Sequence, residues 1–115
     1  MFITHEATGS LAFDGLEIID YTAGQDTNSS FAEITVPAGV SHKWSWSKRS
    51  DKYYYVVRGS VRFTINEESG ELSPGDVCII PRGVRFTYAN AGPGEATLIL
   101  VHSPHFQLEC EVFEE

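Results

Sequence analysis

The sequence is poor in the residue types that several classes of protein require. Only two cysteines, Cys78 and Cys110, occur among its 115 residues, too few for a disulfide framework. Both lie in short apolar runs, so we expect free thiols that pack as small hydrophobic groups, and their spacing does not imply a disulfide. No run approaches the roughly 18 consecutive apolar residues of a membrane span, so the sequence predicts no transmembrane helix.

Positive charge is also scarce. Eight Lys and Arg residues stand against 16 Asp and Glu residues, which gives a formal net charge of −8 at pH 7. Nucleic acids and anionic membranes are bound through basic patches, so we expect neither as a partner. The N-terminal residues MFITHEATGS lack the basic start and the apolar core of a signal peptide, and we expect a cytoplasmic protein.

Short runs of apolar residues with a period of two dominate the sequence. Such alternation places one face of a strand in a core and the other in water. Four runs show it, at residues 32–36, 61–65, 84–88 and 106–112. Glycine- and proline-containing turns separate the runs, and no stretch of a dozen residues has helical periodicity. The pattern predicts nine or ten strands in one all-β domain, a sandwich or a barrel.

Two other runs, YYYVV (53–57) and TLILV (97–101), are apolar on both faces. A second apolar face suggests that something covers it, and another subunit would do so. The pairs Trp44 with Trp46 and Tyr53 with Tyr55 each share one face of a strand. Outer-face aromatics are typical of interfaces, so we expect a homodimer, with packing inside one chain as the alternative.

Residues 37–59, PAGVSHKWSWSKRSDKYYYVVRG, resemble the first motif of the cupin superfamily. In that motif a glycine is followed, at set spacings, by His-x-His, a glutamate and a second glycine. The glycines here are Gly39 and Gly59, while the two histidine places hold Ser45 and Ser47 and the glutamate place holds Lys52. The spacing of the motif is therefore kept and its three metal ligands are replaced.

Residues 75–90, GDVCIIPRGVRFTYAN, resemble the second cupin motif, and Phe86 stands at the place of its fourth ligand. The resemblance implies one all-β domain over residues 1–115, a cupin-type double-stranded β-helix or jelly-roll barrel. Its core is expected over residues 30–106, after an N-terminal arm at residues 1–10. Hydroxyl, ammonium and benzyl groups are poor replacements for imidazole and carboxylate ligands. We therefore expect no metal and no other cofactor.

The register borrowed from cupins points several candidate ligand-binding side chains toward the barrel interior. An inward-facing Lys52 needs a buried carboxylate, an anionic ligand or a route to the barrel mouth. Its neighbours Lys48 and Arg49 would make that mouth positive. The aromatic candidates would suit a small, partly apolar ligand, although a barrel filled by side chains is equally compatible. The candidates are Ser45, Ser47, Lys52, Tyr54, Phe63, Phe86, Tyr88, His42 and His102.

Three functions stay open at this point, all with a small molecule as partner. The first is a binding protein for a small anionic metabolite or a carbohydrate. The second is a metal-independent isomerase or epimerase of activated sugars. The third is a metal-dependent cupin enzyme with atypical ligands, for which His42 would need a bulge to turn inward. The acid–base candidates of the second are His42, His102, Tyr54, Tyr88 and Lys52.

Overall fold

The structure is a computed structural model that describes residues 1–115. It contains eleven β-strands and two three-residue 3-10 turns, at His5–Ala7 and Leu108–Cys110. In chain order the strands are β1 (Leu11–Phe13), β2 (Leu16–Asp20), β3 (Ser30–Val36), β4 (Ser45–Ser47), β5 (Asp51–Arg58), β6 (Val61–Ile65), β7 (Glu68–Leu72), β8 (Val77–Ile80), β9 (Phe86–Ala89), β10 (Ala96–Ser103) and β11 (Glu111–Phe113).

The strands form two antiparallel sheets around one core, which confirms the all-β cupin barrel. The six-stranded sheet has the order β1-β2-β3-β10-β5-β8, and the five-stranded sheet has the order β11-β4-β9-β6-β7. Strand β10 lies between β3 and β5 and pairs with both along nearly its whole length. This arrangement holds the inward-facing side chains of three neighbouring strands in a fixed register. None of the helical segments has the length and apolar character needed to cross a membrane.

The period-two pattern explains which side chains form the core. In β3, Ala32, Ile34 and Val36 are buried while Phe31 faces outward and is exposed. The same alternation buries every second residue of β5 and β10. Aromatic side chains dominate the centre between the sheets, where the largest fully buried residues are Tyr54, Tyr88, Phe63 and Phe86.

The outer face of the six-stranded sheet is apolar over β5 and β8, as the doubly apolar run 53–57 predicts. Tyr53, Tyr55 and Val57 are exposed on β5, and Val77 and Ile79 are exposed beside them on β8. The predicted homodimer stays a prediction.

The two tryptophans make their contacts within the chain. Trp44 lies under the guanidinium of Arg85, whose central carbon is 3.9 Å from the ring centroid, and Arg85 in turn pairs with Glu114. Trp46 stands opposite Val112 in the β4–β11 ladder. Packing inside one chain therefore accounts for these tryptophans. The cysteines Cys78 and Cys110 are both free and half-buried, as expected.

The prediction of a regular strand over residues 106–112 is wrong. A 3-10 turn at Leu108–Cys110 interrupts it, and only Glu111–Phe113 pairs as a strand. The turn changes which side chains face inward. Leu108 is 61% exposed, whereas the side chain of Glu111, placed on the wet face by simple alternation, is only 3% exposed. The alternation fails because it assumes one unbroken extended segment.

A hairpin formed by β1 and β2 precedes the expected core and was not predicted. Its turn is Asp14-Gly15, and both residues have positive φ angles, of 55° and 88°. An Asp-Gly pair favours this type of two-residue turn because both central residues must adopt the left-handed conformation. Strand β2 pairs with β3, so the hairpin extends the six-stranded sheet.

Two glycines of the first motif differ in what surrounds them, and this difference is testable. Gly59 and Gly39 have similar φ angles, of +78° and +81°. A Cβ on Gly59 would lie 2.9 Å from the Ala96 backbone and from the carbonyl oxygen of Glu95, whereas a Cβ on Gly39 meets nothing within 4 Å.

We expect Gly39→Ala to lower the free energy of unfolding by about 1–2 kcal/mol through backbone strain alone. Gly59→Ala should cost roughly 1–3 kcal/mol more, because the added methyl group also collides with a packed strand. Urea unfolding of both variants and the wild type measures the difference. Equal losses in the two variants would contradict the packing argument.

Candidate functional site

A cavity of about 240 Å³ lies within the barrel, and most of its wall is apolar. The β1–β2 hairpin and the C-terminal residues 106–113 contribute to that wall, and Phe13 packs on Phe113 with ring centroids 5.2 Å apart. Hydrophobic side chains supply 12 of the 18 lining residues. The lining residues that carry polar or titratable groups are Asp20, Ser30, His42, Lys52, Tyr54, Tyr88, His102 and Glu111.

Lys52 is buried in the cavity wall, with 5% of its surface exposed. It stands opposite His102 in the β5–β10 ladder, and its Nζ lies 2.8 Å from His102 Nε2. The same ammonium pairs with the carboxylate of Glu111. Of the three arrangements expected for an inward-facing lysine, the structure shows pairing with a buried carboxylate. The Lys52 ammonium does not extend to the barrel mouth. Burial lowers the pKa of Lys52 from its usual value, and the charge of Glu111 opposes that change.

Glu111 is the site residue that the sequence analysis missed. It lies on β11 in the five-stranded sheet, while Lys52 lies on β5 in the six-stranded sheet, so the ion pair bridges the two sheets. The need of a buried lysine for a carboxylate is visible in the sequence. Which acidic residue supplies it depends on the 3-10 turn before β11, and the alternation pattern gives no sign of that turn.

His102 is held as a neutral imidazole. An ammonium group can only donate, so Nε2 of His102 accepts from Lys52 and the ring proton is on Nδ1. Burial lowers the pKa of His102 to about 3, and the nearby positive charge of Lys52 adds to the effect. The ring also contacts Phe106, with centroids 5.0 Å apart. A neutral, buried histidine of this kind fixes the position of the lysine.

His42 lies in the cavity wall, although strand parity predicts that it faces outward. Residues 42–44 fall outside regular strands, so the parity argument does not apply to them. The His42 ring stacks on Tyr88 and on Phe86, with centroid distances of 4.9 Å and 5.3 Å. Its backbone N–H donates to the carbonyl of Tyr88 at 2.8 Å, which anchors the loop to β9.

The tautomer of His42 follows from its hydrogen bond. Nδ1 lies 2.6 Å from the carbonyl oxygen of Lys43, and a carbonyl can only accept, so Nδ1 carries the proton. Burial lowers the pKa of His42 to about 4; the hydrogen bond to Lys43 opposes this change, and the charge of Lys52 adds to it. At neutral pH, Nε2 therefore presents an unprotonated lone pair, which is the form that a general base requires.

The two tyrosines of the cavity keep their phenolic protons. Tyr54 and Tyr88 are fully buried side chains in edge-to-face contact, with centroids 5.5 Å apart. Burial raises the pKa of both hydroxyl groups well above the usual value. Both hydroxyls are therefore neutral donors near pH 7. The two hydroxyls influence each other's pKa, but the Tyr88 hydroxyl makes no hydrogen bond of good geometry within the chain.

Four of the nine predicted site residues lie behind the cavity wall. Phe63 packs on Tyr54 and Tyr88, with centroid distances of 5.0 Å and 4.9 Å. Phe86 lies beneath His42 and Lys52, whose Nζ is 5.6 Å from the ring centroid. These two phenylalanines therefore support the side chains that line the cavity, and they do not line it themselves.

The serines at the two histidine places are also buried and do not line the cavity. Ser45 stands opposite Phe86 in the β4–β9 pair. The Ser47 hydroxyl accepts hydrogen bonds from the backbone N–H groups of Arg49 and Ser50, at 3.2 Å and 2.9 Å, and so closes the turn before β5. Lys48 and Arg49 do not line the cavity, and the Arg49 side chain donates to the His105 carbonyl at 3.0 Å. The predicted positive mouth stays a prediction.

The residues at the metal-ligand places of the motif do not fit a metal ion. They offer two hydroxyl groups, one of them engaged in a turn, together with a benzyl ring and an ammonium group that is already paired with Glu111. They are not the imidazole and carboxylate donors that divalent transition metals require, and the nearby His102 imidazole and Glu111 carboxylate are both occupied by the ammonium of Lys52. No group of three or more His, Cys, Asp or Glu side chains elsewhere in the structure has such an arrangement.

Comparison with known proteins places this geometry in context. Residues 32–102 match the family model described as Cupin domain. Homogentisate 1,2-dioxygenase of Caenorhabditis elegans is 34% identical over 84 residues, which are 71% of this chain and 19% of that protein. Endoribonuclease YbeY of Myxococcus xanthus is 27% identical over 104 residues, which are 88% of this chain and 35% of that protein. The chain thus spans about a fifth to about a third of the length of these curated relatives.

A solved structure of similar size is the nucleoside dehydratase Pac13. It superposes with a TM-score of 0.86 at 23% identity, and the match covers 100% of this chain and 91% of that one. Streptomyces Pac13 is also known with uridine, in variants that carry a His-to-Gln or a Tyr-to-Phe substitution. At this level of identity the likeness shows the fold.

The two neutral histidines make stability depend on pH. The unfolded chain protonates each histidine near pH 6.5, but the folded chain protonates His42 only near pH 4 and His102 only near pH 3. Lowered folded-state values mean that stability is lost as pH falls below 6.5, by roughly 1.4 kcal/mol per pH unit for each histidine. His102→Gln keeps an acceptor for Lys52 but cannot titrate, so its unfolding free energy should fall less steeply.

Urea unfolding of the wild type and of His102→Gln at several pH values between about 6.5 and about 4.5 measures the two slopes. Their difference should approach roughly 1.4 kcal/mol per pH unit. Identical slopes would mean that the ring is not held neutral in the folded protein.

Proposed function

This chain belongs to the cupin family, and we propose that it is a metal-independent enzyme that removes water from a nucleoside- or sugar-like substrate. The observation that carries the proposal is the neutral imidazole of His42, with its tautomer set by the Lys43 carbonyl and its ring stacked on Tyr88 in the cavity wall. The cavity therefore holds a base, His42, beside a proton donor, the Tyr88 hydroxyl.

Elimination of water needs a base for a C–H proton and a donor for the departing oxygen. Nε2 of His42 takes the carbon-bound proton, and the substrate hydroxyl leaves as water after receiving the proton of the Tyr88 hydroxyl. The proton on His42 then returns to the Tyr88 oxygen, so the enzyme is unchanged after each cycle. Return of the proton to a neighbouring substrate carbon, without loss of the hydroxyl, would give an isomerase or an epimerase instead.

The cavity suits a ring compound with hydroxyl groups. Its apolar wall favours a flat or ring-shaped ligand. Lys52, His102, Glu111 and the two tyrosines are among the residues that supply polar groups. A C–H group acidic enough for a histidine normally lies beside a carbonyl, so we expect the substrate to carry a carbonyl near the departing hydroxyl. The fold shared with a nucleoside dehydratase, itself studied with uridine, supports a nucleoside among the candidate substrates.

A binding protein without turnover is the second candidate function. The observation that favours it is the pKa of His42, lowered to about 4, because efficient general bases usually have pKa values nearer to the working pH. In that case the same cavity would hold a nucleoside or a sugar, and His42 would act as a hydrogen-bond acceptor. The two functions differ in whether a substrate proton exchanges with solvent.

The test follows both water loss and proton exchange for nucleosides and sugars that carry a carbonyl group. In D2O, proton abstraction by His42 introduces deuterium at the carbon beside the carbonyl even where elimination is slow, and NMR detects it. We expect His42→Gln to lower kcat by roughly 10²- to 10⁴-fold and to leave KM within a few-fold. Tyr88→Phe should lower kcat while deuterium exchange continues, because it removes only the donor for the departing oxygen.

His5→Gln is the matched control, since His5 is exposed and lies outside the cavity. It should leave kcat unchanged. Wild-type rates in His42→Gln would exclude the base, and binding with neither deuterium exchange nor water loss would select the binding protein.

Activity should also be indifferent to chelation, because the ligand places of the motif hold no fitting donor set. Protein dialysed against EDTA should keep the kcat of untreated protein, and adding iron, zinc, manganese or nickel back should not raise it. Metal content measured before and after dialysis shows whether removal was complete. Loss of activity that one of these metals restores would overturn the metal-independent mechanism.

A further inference from the structure

Two buried polar atoms of the cavity residues lack partners. Oε2 of Glu111 makes no hydrogen bond within the chain, and the hydroxyl of Tyr88 makes none of good geometry, although it interacts with the neighbouring Tyr54 hydroxyl. A buried, unpaired polar group costs roughly 1–3 kcal/mol, so native proteins rarely leave one without a role. Both belong to side chains that line the cavity. A ligand that brings hydrogen-bond donors to this wall would satisfy them.

The two unpaired atoms require different hydrogen-bond partners. A carboxylate oxygen can only accept, so Oε2 of Glu111 requires a donor such as a hydroxyl or an N–H group. The Tyr88 hydroxyl can donate or accept, and it therefore fits the oxygen of a hydroxyl group equally well. The other carboxylate oxygen of Glu111 is already used by Lys52. A ligand hydroxyl is the simplest group that suits both positions.

The charges around the cavity disfavour an anionic ligand. The ammonium of Lys52 is balanced by Glu111. The His102 ring is neutral because its Nε2 accepts from Lys52, and burial keeps the His42 ring neutral. Asp20, which also lines the cavity, adds a second carboxylate. A phosphate or carboxylate entering this space would meet no free cation and would lie close to two carboxylates, an arrangement that costs energy in a poorly solvated site.

We propose that Glu111 is a specificity-determining residue, which selects neutral, hydroxyl-bearing ligands and rejects their phosphorylated counterparts. The proposal deepens the proposed function and rests on it only for the choice of cavity. It also replaces the expectation of a small anionic metabolite, because the cation on which that expectation depended is neutralised inside the protein. A hydroxyl group donating to Oε2 contributes a charge-assisted hydrogen bond, which is stronger than a neutral one.

Replacing Glu111 with Gln changes the charge at almost constant shape. The amide oxygen can still accept from Lys52, but the unpaired acceptor is replaced by an N–H donor. The cavity also gains one net positive charge. Glu111→Gln should therefore weaken binding of a neutral polyol and strengthen binding of its phosphate ester.

The experiment compares neutral probes with their phosphorylated twins, namely uridine with uridine 5′-monophosphate and D-ribose with D-ribose 5-phosphate, by calorimetric titration. For the wild type we expect the neutral member of a pair to bind at least about 10-fold more tightly. In Glu111→Gln that ratio should fall by roughly 10- to 100-fold, toward preference for the phosphate ester. Glu109→Gln is the control, since it removes the same charge from an exposed site on the same segment, and it should leave the ratio unchanged.

Circular dichroism and the melting temperature show whether Glu111→Gln folds. If it does not, the wild-type comparison still tests the proposal. Equal or tighter binding of the phosphorylated twin to the wild type would overturn it, as would an unchanged ratio in folded Glu111→Gln or a failure of both neutral probes to bind. His42→Gln separates this proposal from the proposed function. It should abolish turnover yet keep the preference for the neutral probe. A wild-type protein that catalyses the reaction without preferring the neutral probe would count against the role of Glu111 and leave the proposed function standing.

Discussion

The buried ion pair between Lys52 and Glu111 is the contact on which the chemistry of the cavity depends. It joins the two sheets, since Lys52 lies on β5 and Glu111 on β11. Removing one partner from such a pair leaves a buried charge without compensation, at a cost of roughly 3–5 kcal/mol. The same ammonium sets the tautomer of His102 and helps to lower the pKa of His42. Charge balance, histidine protonation and the register of the closing strand are therefore coupled in one place.

Much of the fold could be predicted from the residues, because spacing and alternation are local properties. The glycines Gly39 and Gly59 mark turns of the motif, and the burial of alternate residues in β3, β5 and β10 follows from their patterns. The site was less predictable because it depends on where regular strands stop. His42 precedes β4, where parity no longer applies, and Glu111 follows a 3-10 turn that reverses the face it presents. The first hairpin was not predicted, because its Asp-Gly pair is informative only between recognisable strands and β1 is too short to show alternation.

The chain shows how a barrel can keep its architecture while its interior changes chemical character. The motif glycines Gly39 and Gly59 have positive φ angles, and the side chains between them form turns, fill space or carry a paired charge. Phe86 is an example, because its ring occupies the centre and supports both His42 and Lys52. The titratable side chains therefore lie along the cavity wall and not at the ligand places of the motif, in line with the general independence of fold and function.

Rebuilding an ion-binding centre in this barrel would require more than reinstating the residues of the two motifs. A glutamate at position 52 would point at Glu111, and two carboxylates confined at that distance cannot both stay ionised without a cation between them. The closing strand, which belongs to neither motif, would have to be redesigned in the same step. Position 111 thus acts as a compatibility constraint, one that a comparison limited to the motif positions would overlook.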